Sequence, residues 1–285
     1  MKTVWFFLFA LLLPCAAVGQ SSPLMAPQTV EIPSGNLRLK AFLWNPAGRG
    51  PFPAVLFNHG SGGADAAQTA GMPITEAAER LAPLFVKHGY AFLYLFRRGQ
   101  GLSADQAPFM QDVLQREEVA KGKDARQHLQ FILSTTEQLD DVIAALSFLK
   151  GVPGVDSRRI AVAGHSFGGQ LTLFAAERDS TLRAAVTFGA AAASWERSPE
   201  LRQRLLTAVG KTTASIMLIH AANDYDTTPG SALADELERL HKPHVLKIYP
   251  SVGQTHEEGH NFFYQAIPKW EDDVFKFLDE HVQPL

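Results

Sequence analysis

The stretch Arg159-Ile-Ala-Val-Ala-Gly164-His-Ser166-Phe-Gly-Gly169-Gln-Leu-Thr-Leu-Phe-Ala-Ala176 decides the fold. An apolar run ends in Gly-x-Ser-x-Gly, and a second apolar run with helical spacing follows at once. Strand, sharp turn, helix is the context a nucleophile elbow requires. The serine must stand on a strained turn for its hydroxyl to clear the sheet. Glycines at 164 and 168 let the strand and helix backbones cross closely around it. The Phe167 N–H opens the helix and can donate to a developing negative charge.

Outward from the elbow, strand-like runs recur at 28–32, 38–44, 52–59, 90–96, 159–163, 184–188, 215–220 and 245–249. The first two read as an antiparallel hairpin turning at Ser34-Gly35-Asn36. From Phe52 onward strands alternate with helical patterns, so the spacing predicts an α/β fold: a mostly parallel eight-stranded sheet with helices on both faces. Ser134 and Glu137 make a capping-box pattern ahead of a helix striped by Leu139, Val142, Ile143, Leu146 and Leu149, which Gly151 and Pro153 stop. A last helix begins near Pro268 and turns Trp270, Val274, Phe277 and Leu278 to the core. Residues 102–133 break the alternation and are too long for a simple loop. Phe109, Met110, Val113 and Leu114 suggest one short amphipathic helix, and Leu129, Phe131, Ile132 and Leu133 another. This insertion leaves the carboxyl end of a strand, the edge where α/β proteins put their sites, and is expected to form a small helical cap.

The chain has 285 residues, 46% hydrophobic and 19% charged, with net charge −3. That is ample for one large core and gives no electrostatic case for nucleic acid. Lys2, the apolar run from Val4 to Leu13 and the small residues Ala17-Val18-Gly19 predict a signal peptide over 1–19, which leaves 20–285 as the folded domain. The run is short for a bilayer, so export without a retained span is the expectation. Pro14 argues against lipidation at Cys15. Cys15 is the single cysteine and would leave with the signal, so neither a disulfide nor a cysteine nucleophile is expected in the mature chain.

A serine nucleophile needs a base, an orienting acid and an oxyanion hole. The acid should follow a later strand, and Asp224 stands directly after 215–220; Asp226, two residues on, is the rival. The base should lie after the last strand, where the loop from Pro250 offers His256 and His260. His260 follows glycine and precedes an aromatic segment, whereas His256 sits beside Glu257 and Glu258 as a solvated turn residue would. The second oxyanion donor is expected in His59-Gly60-Ser61-Gly62-Gly63, a glycine-rich turn after an apolar strand. Ser61 N–H is the first choice and Gly62 the alternate, with His59 bracing the turn. No Gly-Lys-Ser/Thr follows, which excludes a P-loop. Arg97 and Arg98 end a strand on the same edge, where they could fork a substrate carboxylate or, more plainly, brace the turn through carbonyls or an acidic side chain. No clustered metal pattern and no dinucleotide fingerprint is present, so neither metal nor cofactor is expected.

Asn58-His-Gly-Ser-Gly-Gly63, Arg97-Arg-Gly-Gln-Gly101, Gly164-His-Ser-Phe-Gly-Gly169, Ala221-Ala-Asn-Asp224 and Glu258-Gly-His260 together resemble the α/β-hydrolase superfamily. Within it, the chain resembles the dienelactone-hydrolase-like serine hydrolases across most of its length. The resemblance implies Ser166 as nucleophile, Asp224 as acid and His260 as base. Members named for dienelactone hydrolysis use a cysteine nucleophile, so serine at 166 points instead to ordinary ester chemistry on small molecules. A peptidase acting on short peptides and a non-catalytic binding protein on the same scaffold are the rival readings.

Overall fold

The computed structural model describes Met1 and residues 26–62 and 72–283. The expected signal segment beyond Met1, and Gly63, lie outside the described residues. The sheet comprises β1 (Gln28–Ser34), β2 (Leu37–Trp44), β3 (Phe52–Asn58), β4 (Ala91–Phe96), β5 (Val155–His165), β6 (Ala184–Phe188), β7 (Ser215–Ala221) and β8 (His244–Tyr249). Its order is β1-β2-β4-β3-β5-β6-β7-β8, with β2 antiparallel to both neighbours and every other pair parallel. β4, β6 and β7 are buried at every position and so on both faces, as a helix-covered parallel sheet demands. The strands fall where the apolar runs predict them, β6 to the residue. β5 starts four residues early because Val155 pairs with Phe52 across a register shift.

Helices α1 (Ile74–Lys87), α9 (Phe262–Gln265) and α10 (Ile267–Val282) close one face. α4 (Glu137–Lys150), α5 (Phe167–Arg178), α6 (Pro199–Lys211) and α7 (Thr228–Arg239) close the other. In α10 the expected Trp270, Val274, Phe277 and Leu278 are buried, joined by Phe275, and the Trp270 indole N–H donates to the Phe263 carbonyl at 2.9 Å. Burying side chains of this size contributes about 1.5–3 kcal/mol each.

Residues 102–133 fold as a 3-10 turn over Gly101–Gln106 and a hairpin of α2 (Met110–Lys121) and α3 (Lys123–Thr135). Met110 and Leu114 enter the core, and Leu129, Phe131 and Leu133 pack against it, while Ile132 faces out. The expected capping box at Ser134 is not formed. Ser134 closes α3 instead, and α4 begins after Thr136 with no side-chain cap. The reason is local: α3 runs right up to α4, so the Ser134, Thr135 and Thr136 hydroxyls donate back to the carbonyls of Phe131 and Ile132. Hydroxyls that serve the end of one helix cannot cap the start of the next.

The chain places β4 on one side of β3 and then crosses to β5 on the other. Crevices at such reversals, outside the carboxyl ends of the strands, are where open α/β sheets bind ligands. The turn after β3 and the elbow after β5 flank this one.

Candidate active site

Ser166 is the sharp point between β5 and α5, with φ 57° and ψ −120°. A non-glycine residue there costs on the order of 1–3 kcal/mol and persists because its surroundings over-determine it. The Ser166 N–H donates to the Phe188 carbonyl at 2.8 Å, and the Ser166 carbonyl accepts from Gly169 and Gln170. Close approach explains the flanking glycines. A Cβ on Gly168 would stand 2.0 Å from the Asn58 carbonyl oxygen, and one on Gly164 would stand 2.4 Å from the Gly168 oxygen. The elbow is therefore pressed against the end of β3.

The Ser166 hydroxyl lies 2.8 Å from His260 Nε2, and His260 Nδ1 lies 2.6 Å from Asp224 Oδ1. The carboxylate accepts from Nδ1–H, which leaves Nε2 to accept the Ser166 proton. Asp224 follows β7 directly and is 4% exposed; its Oδ1 also accepts from the Tyr225 N–H at 2.7 Å. The rivals lie elsewhere. Asp226 accepts from the Thr228 N–H at the head of α7, and His256 turns its Nδ1 toward the Asn223 and Asp224 carbonyls.

His260 ends the short helix α8 (His256–His260), whose start is a complete capping box between Thr255 and Glu258. Glu258 thus builds the helix that presents His260. Asn223 joins the acid turn to this loop, donating to the Val252 and Thr255 carbonyls and accepting from the Val252 N–H. Two more histidines complete the arrangement, and sequence reasoning missed both. His220, buried in β7, donates from Nδ1 to Asp224 Oδ2 at 2.9 Å. His165, the residue before the serine, donates from Nε2 to the His260 carbonyl at 2.9 Å. In sequence only their positions mark them: His220 lies four residues before the acid, and His165 is the variable position of the elbow.

Burial alone would raise the Asp224 carboxyl. The hydrogen bonds from His220 and His260, with their charge, outweigh it and hold the group well below the usual carboxylate range. Burial, helped by His260, pushes the His165 imidazole down to about 3, so it stays neutral and keeps one donor and one acceptor nitrogen.

The turn after β3 brings Ser61 to the same cavity as Ser166 and Phe167. Phe167 is the first residue of α5, so its N–H has no carbonyl partner within the helix. This cavity measures about 270 Å³, and the hairpin adds Gln111, Arg126 and Gln130 to its lining. A larger depression of about 630 Å³ opens at the opposite edge of the sheet, beside Lys150, Arg183 and His281. Size does not decide between them: in the larger the Ser215 hydroxyl meets His281 Nδ1 at 3.2 Å, whereas the smaller is lined by Ser166, whose imidazole partner is held in turn by the Asp224 carboxylate.

Both arginines after β4 turn inward and brace the edge. Arg98 forks onto Asp141, with Nη2 to Oδ1 at 2.7 Å and Nε to Oδ2 at 2.9 Å. Arg97 is fully buried and donates to the His59 and Gly60 carbonyls, both at 2.9 Å, and to Gln138 Oε1 at 3.1 Å. Burial lowers its guanidinium to about 10, which leaves it charged at neutral pH. His59 is held neutral, first by burial and then by the Arg97 charge.

Similarity to known proteins follows the same scaffold. The Acinetobacter baumannii quorum-quenching protein AidA is 28% identical over 162 residues, which span 57% of this chain and 43% of that protein. Acylaminoacyl peptidase from Pyrococcus horikoshii superposes with a TM-score of 0.63 at 18% identity, over 91% of this chain and 42% of the peptidase. Dienelactone hydrolase from Anabaena variabilis superposes with a TM-score of 0.62 at 20% identity, over 90% of this chain and all of that one. The chain thus matches less than half the length of the first two. At these identities the superpositions establish a shared α/β-hydrolase fold. Residues 39–269 match the sequence pattern of a single family, and on that match the chain belongs to the dienelactone hydrolase family.

Proposed function

We propose that this protein is an exported serine hydrolase of small carboxylic esters. The observation that carries the reading is the unbroken relay from a strained Ser166 through His260 to Asp224, at 2.8 and 2.6 Å. Ser166 Oγ attacks the ester carbonyl while His260 Nε2 takes its proton. Asp224 holds the imidazole in the tautomer that can accept that proton and stabilises the imidazolium formed. The Ser61 and Phe167 amides receive the oxyanion of the tetrahedral intermediate. His260 then hands the proton to the leaving alcohol, and the acyl group stays on Ser166. In the second half a water attacks, giving its proton to His260; the acid leaves and Ser166 is reprotonated.

A cavity of about 270 Å³, with Gln111, Arg126 and Gln130 on its wall, favours a short polar acyl group over a long alkyl chain. Export rests on Lys2 and the apolar run from Val4 to Leu13. No helix among the described residues is long and apolar enough to cross a membrane.

The test is intact mass after treatment with a fluorophosphonate, alongside Ser166→Ala, with acetyl to decanoyl esters and matched amides assayed in parallel. One adduct on the wild type, none on the variant, and turnover greatest with short esters is the expected result. A folded wild-type protein that takes no adduct would remove the hydrolase reading. Faster turnover of amides than of esters would replace it with the peptidase reading.

A further inference from the structure

The geometry points to Arg97 as a positioning residue for the oxyanion site: by holding two consecutive carbonyls of the turn after β3, its guanidinium aims the Ser61 N–H at the carbonyl Ser166 attacks. The inference rests on the hydrolase reading above and adds to it a residue that touches neither substrate nor relay. Leu95 pairs with Asn58 across β4 and β3, so two residues on Arg97 comes abreast of Gly60. Nη1 holds the His59 carbonyl and Nη2 the Gly60 carbonyl. In a trans peptide the N–H points opposite to the C=O. With the Gly60 carbonyl turned onto Arg97, the Ser61 N–H must point away from it, on the side where Ser61 meets the cavity of Ser166. The same guanidinium lies 5.5 Å from the centre of the Phe167 ring, the residue that bears the second donor. One side chain therefore holds the carbonyl of the peptide that carries the Ser61 N–H and lies against the ring of Phe167, the residue of the second donor.

The charge is as informative as the contacts. Arg98, next in the chain, is paired with Asp141 and braces the edge as an ordinary ion pair. The Arg97 guanidinium donates to two carbonyls and Gln138, the neutral His59 ring lies beside it with Nδ1 donating to the Gly60 carbonyl at 2.8 Å, and the side chain is fully buried. Asp141 favours the Arg97 charge without a hydrogen bond to it, and burying a cation with no carboxylate in contact is costly where a neutral amide could brace the turn. A cation there polarises the Gly60 carbonyl, and through the shared peptide it strengthens the Ser61 N–H as a donor. That gain appears only when an oxyanion forms, which is where a rate enhancement must come from.

The experiment compares Arg97→Lys and Arg97→Met with wild type, alone and on a Ser61→Pro background that removes the N–H itself. Each protein is first titrated with the fluorophosphonate, so that rates refer to competent sites only. Deleting an oxyanion donor costs about 10²–10³ in kcat. Arg97→Met should approach about 10² and Arg97→Lys, which keeps the charge but loses the fork, about tenfold, both with KM within about threefold. A boronic-acid transition-state analogue should weaken in step with kcat/KM. On Ser61→Pro, Arg97→Lys should cost no more than about twofold, because its target is gone. A brace with no further role would raise KM, lower the titratable fraction, or add its full loss to that of Ser61→Pro. Either additive losses or a wild-type kcat per titrated site in Arg97→Lys would overturn the assignment. Should Arg97→Met fail to fold, the lysine series decides alone. A wild type with neither adduct nor turnover would instead sink the hydrolase reading.

Discussion

The Ser166–His260–Asp224 relay behind one wall of the cavity comes from the carboxyl ends of the sheet, whereas another wall, with Gln111, Arg126 and Gln130, comes from the α2–α3 hairpin. On the sheet side Asp224 and His260 are buried and tied by hydrogen bonds: Asp224 accepts from His260, His220 and Tyr225, and His165 holds the His260 carbonyl. On the hairpin side α2 buries only Met110 and Leu114, and α3 only Ser134. Arg126 and Gln130 reach the cavity half-buried. Chemistry that tolerates errors of only tenths of an ångström sits on strand ends locked by packing, and selectivity sits on an element with little core of its own. Substitutions in the two walls should therefore read out differently, in kcat on one side and in substrate preference on the other.

The largest break is Asp224→Asn, expected to lower kcat by about 10⁴ while KM stays within a few-fold, because the amide favours the wrong imidazole tautomer. Asp226→Asn should stay within about twofold of wild type, since Asp226 only receives the Thr228 N–H. Steady-state kinetics on one ester would settle both. A comparable loss at Asp226 would mean that the acid turn rearranges in solution.

His220→Ala probes the next layer of the same wall. It leaves Asp224 Oδ2 without its buried donor, at a cost of about 1–3 kcal/mol in stability by denaturant unfolding. kcat should fall about tenfold, because Oδ1 keeps both His260 and Tyr225 while the carboxylate gains freedom to turn. Unchanged kcat would show that the Tyr225 N–H orients Asp224 unaided.

The strand positions, the elbow and the residues of the Ser166–His260–Asp224 relay were legible because each rests on a local pattern: an apolar run, a glycine pair, a carboxylate or imidazole just past a strand. Asp224 could be preferred to Asp226 from its distance to β7 alone. What could not be read were the groups that act across the fold. His220, His165 and Asn223 look like ordinary strand or turn residues until the sheet sets them beside Asp224 and His260. Ser134 misled for the opposite reason. Its spacing to Glu137 is that of a capping box, but the pattern cannot show that the preceding helix continues to Thr135 and claims the hydroxyl.

The buried histidines set an acid limit on the sheet wall that the hairpin does not share. In the unfolded chain His165 and His59 take up protons below about pH 6.5, whereas folded His165 stays neutral to about 3 and folded His59 titrates well below its ordinary value. Between those limits the unfolded state binds more protons, so stability is fully in hand above about pH 6.5 and falls as pH drops. Each group contributes a slope of about 1.4 kcal/mol per pH unit. Asp224 acts in the same direction at lower pH, losing its contribution as it protonates below its unfolded value. Denaturant midpoints measured from pH 8 to 4 should show this decline. In His165→Gln, whose amide can still donate to the His260 carbonyl, the slope should be shallower by one proton. An identical slope would place the acid limit on other groups.

The smallest effect belongs to the hairpin. Gln130 lines the cavity half-buried, so Gln130→Leu should change stability by no more than about 0.5 kcal/mol and kcat on an acetyl ester by less than about twofold. Its influence should appear in the ratio of kcat/KM for a butyryl over an acetyl ester. Fully burying a methylene is worth about 0.8 kcal/mol, or roughly fourfold, and a half-exposed wall returns only part of that. A two-carbon extension should therefore shift the ratio by about three- to fivefold toward the longer chain. A shift carried by kcat, or accompanied by a loss of titratable sites, would mean that the hairpin supports the relay, and the division between the two walls would no longer stand.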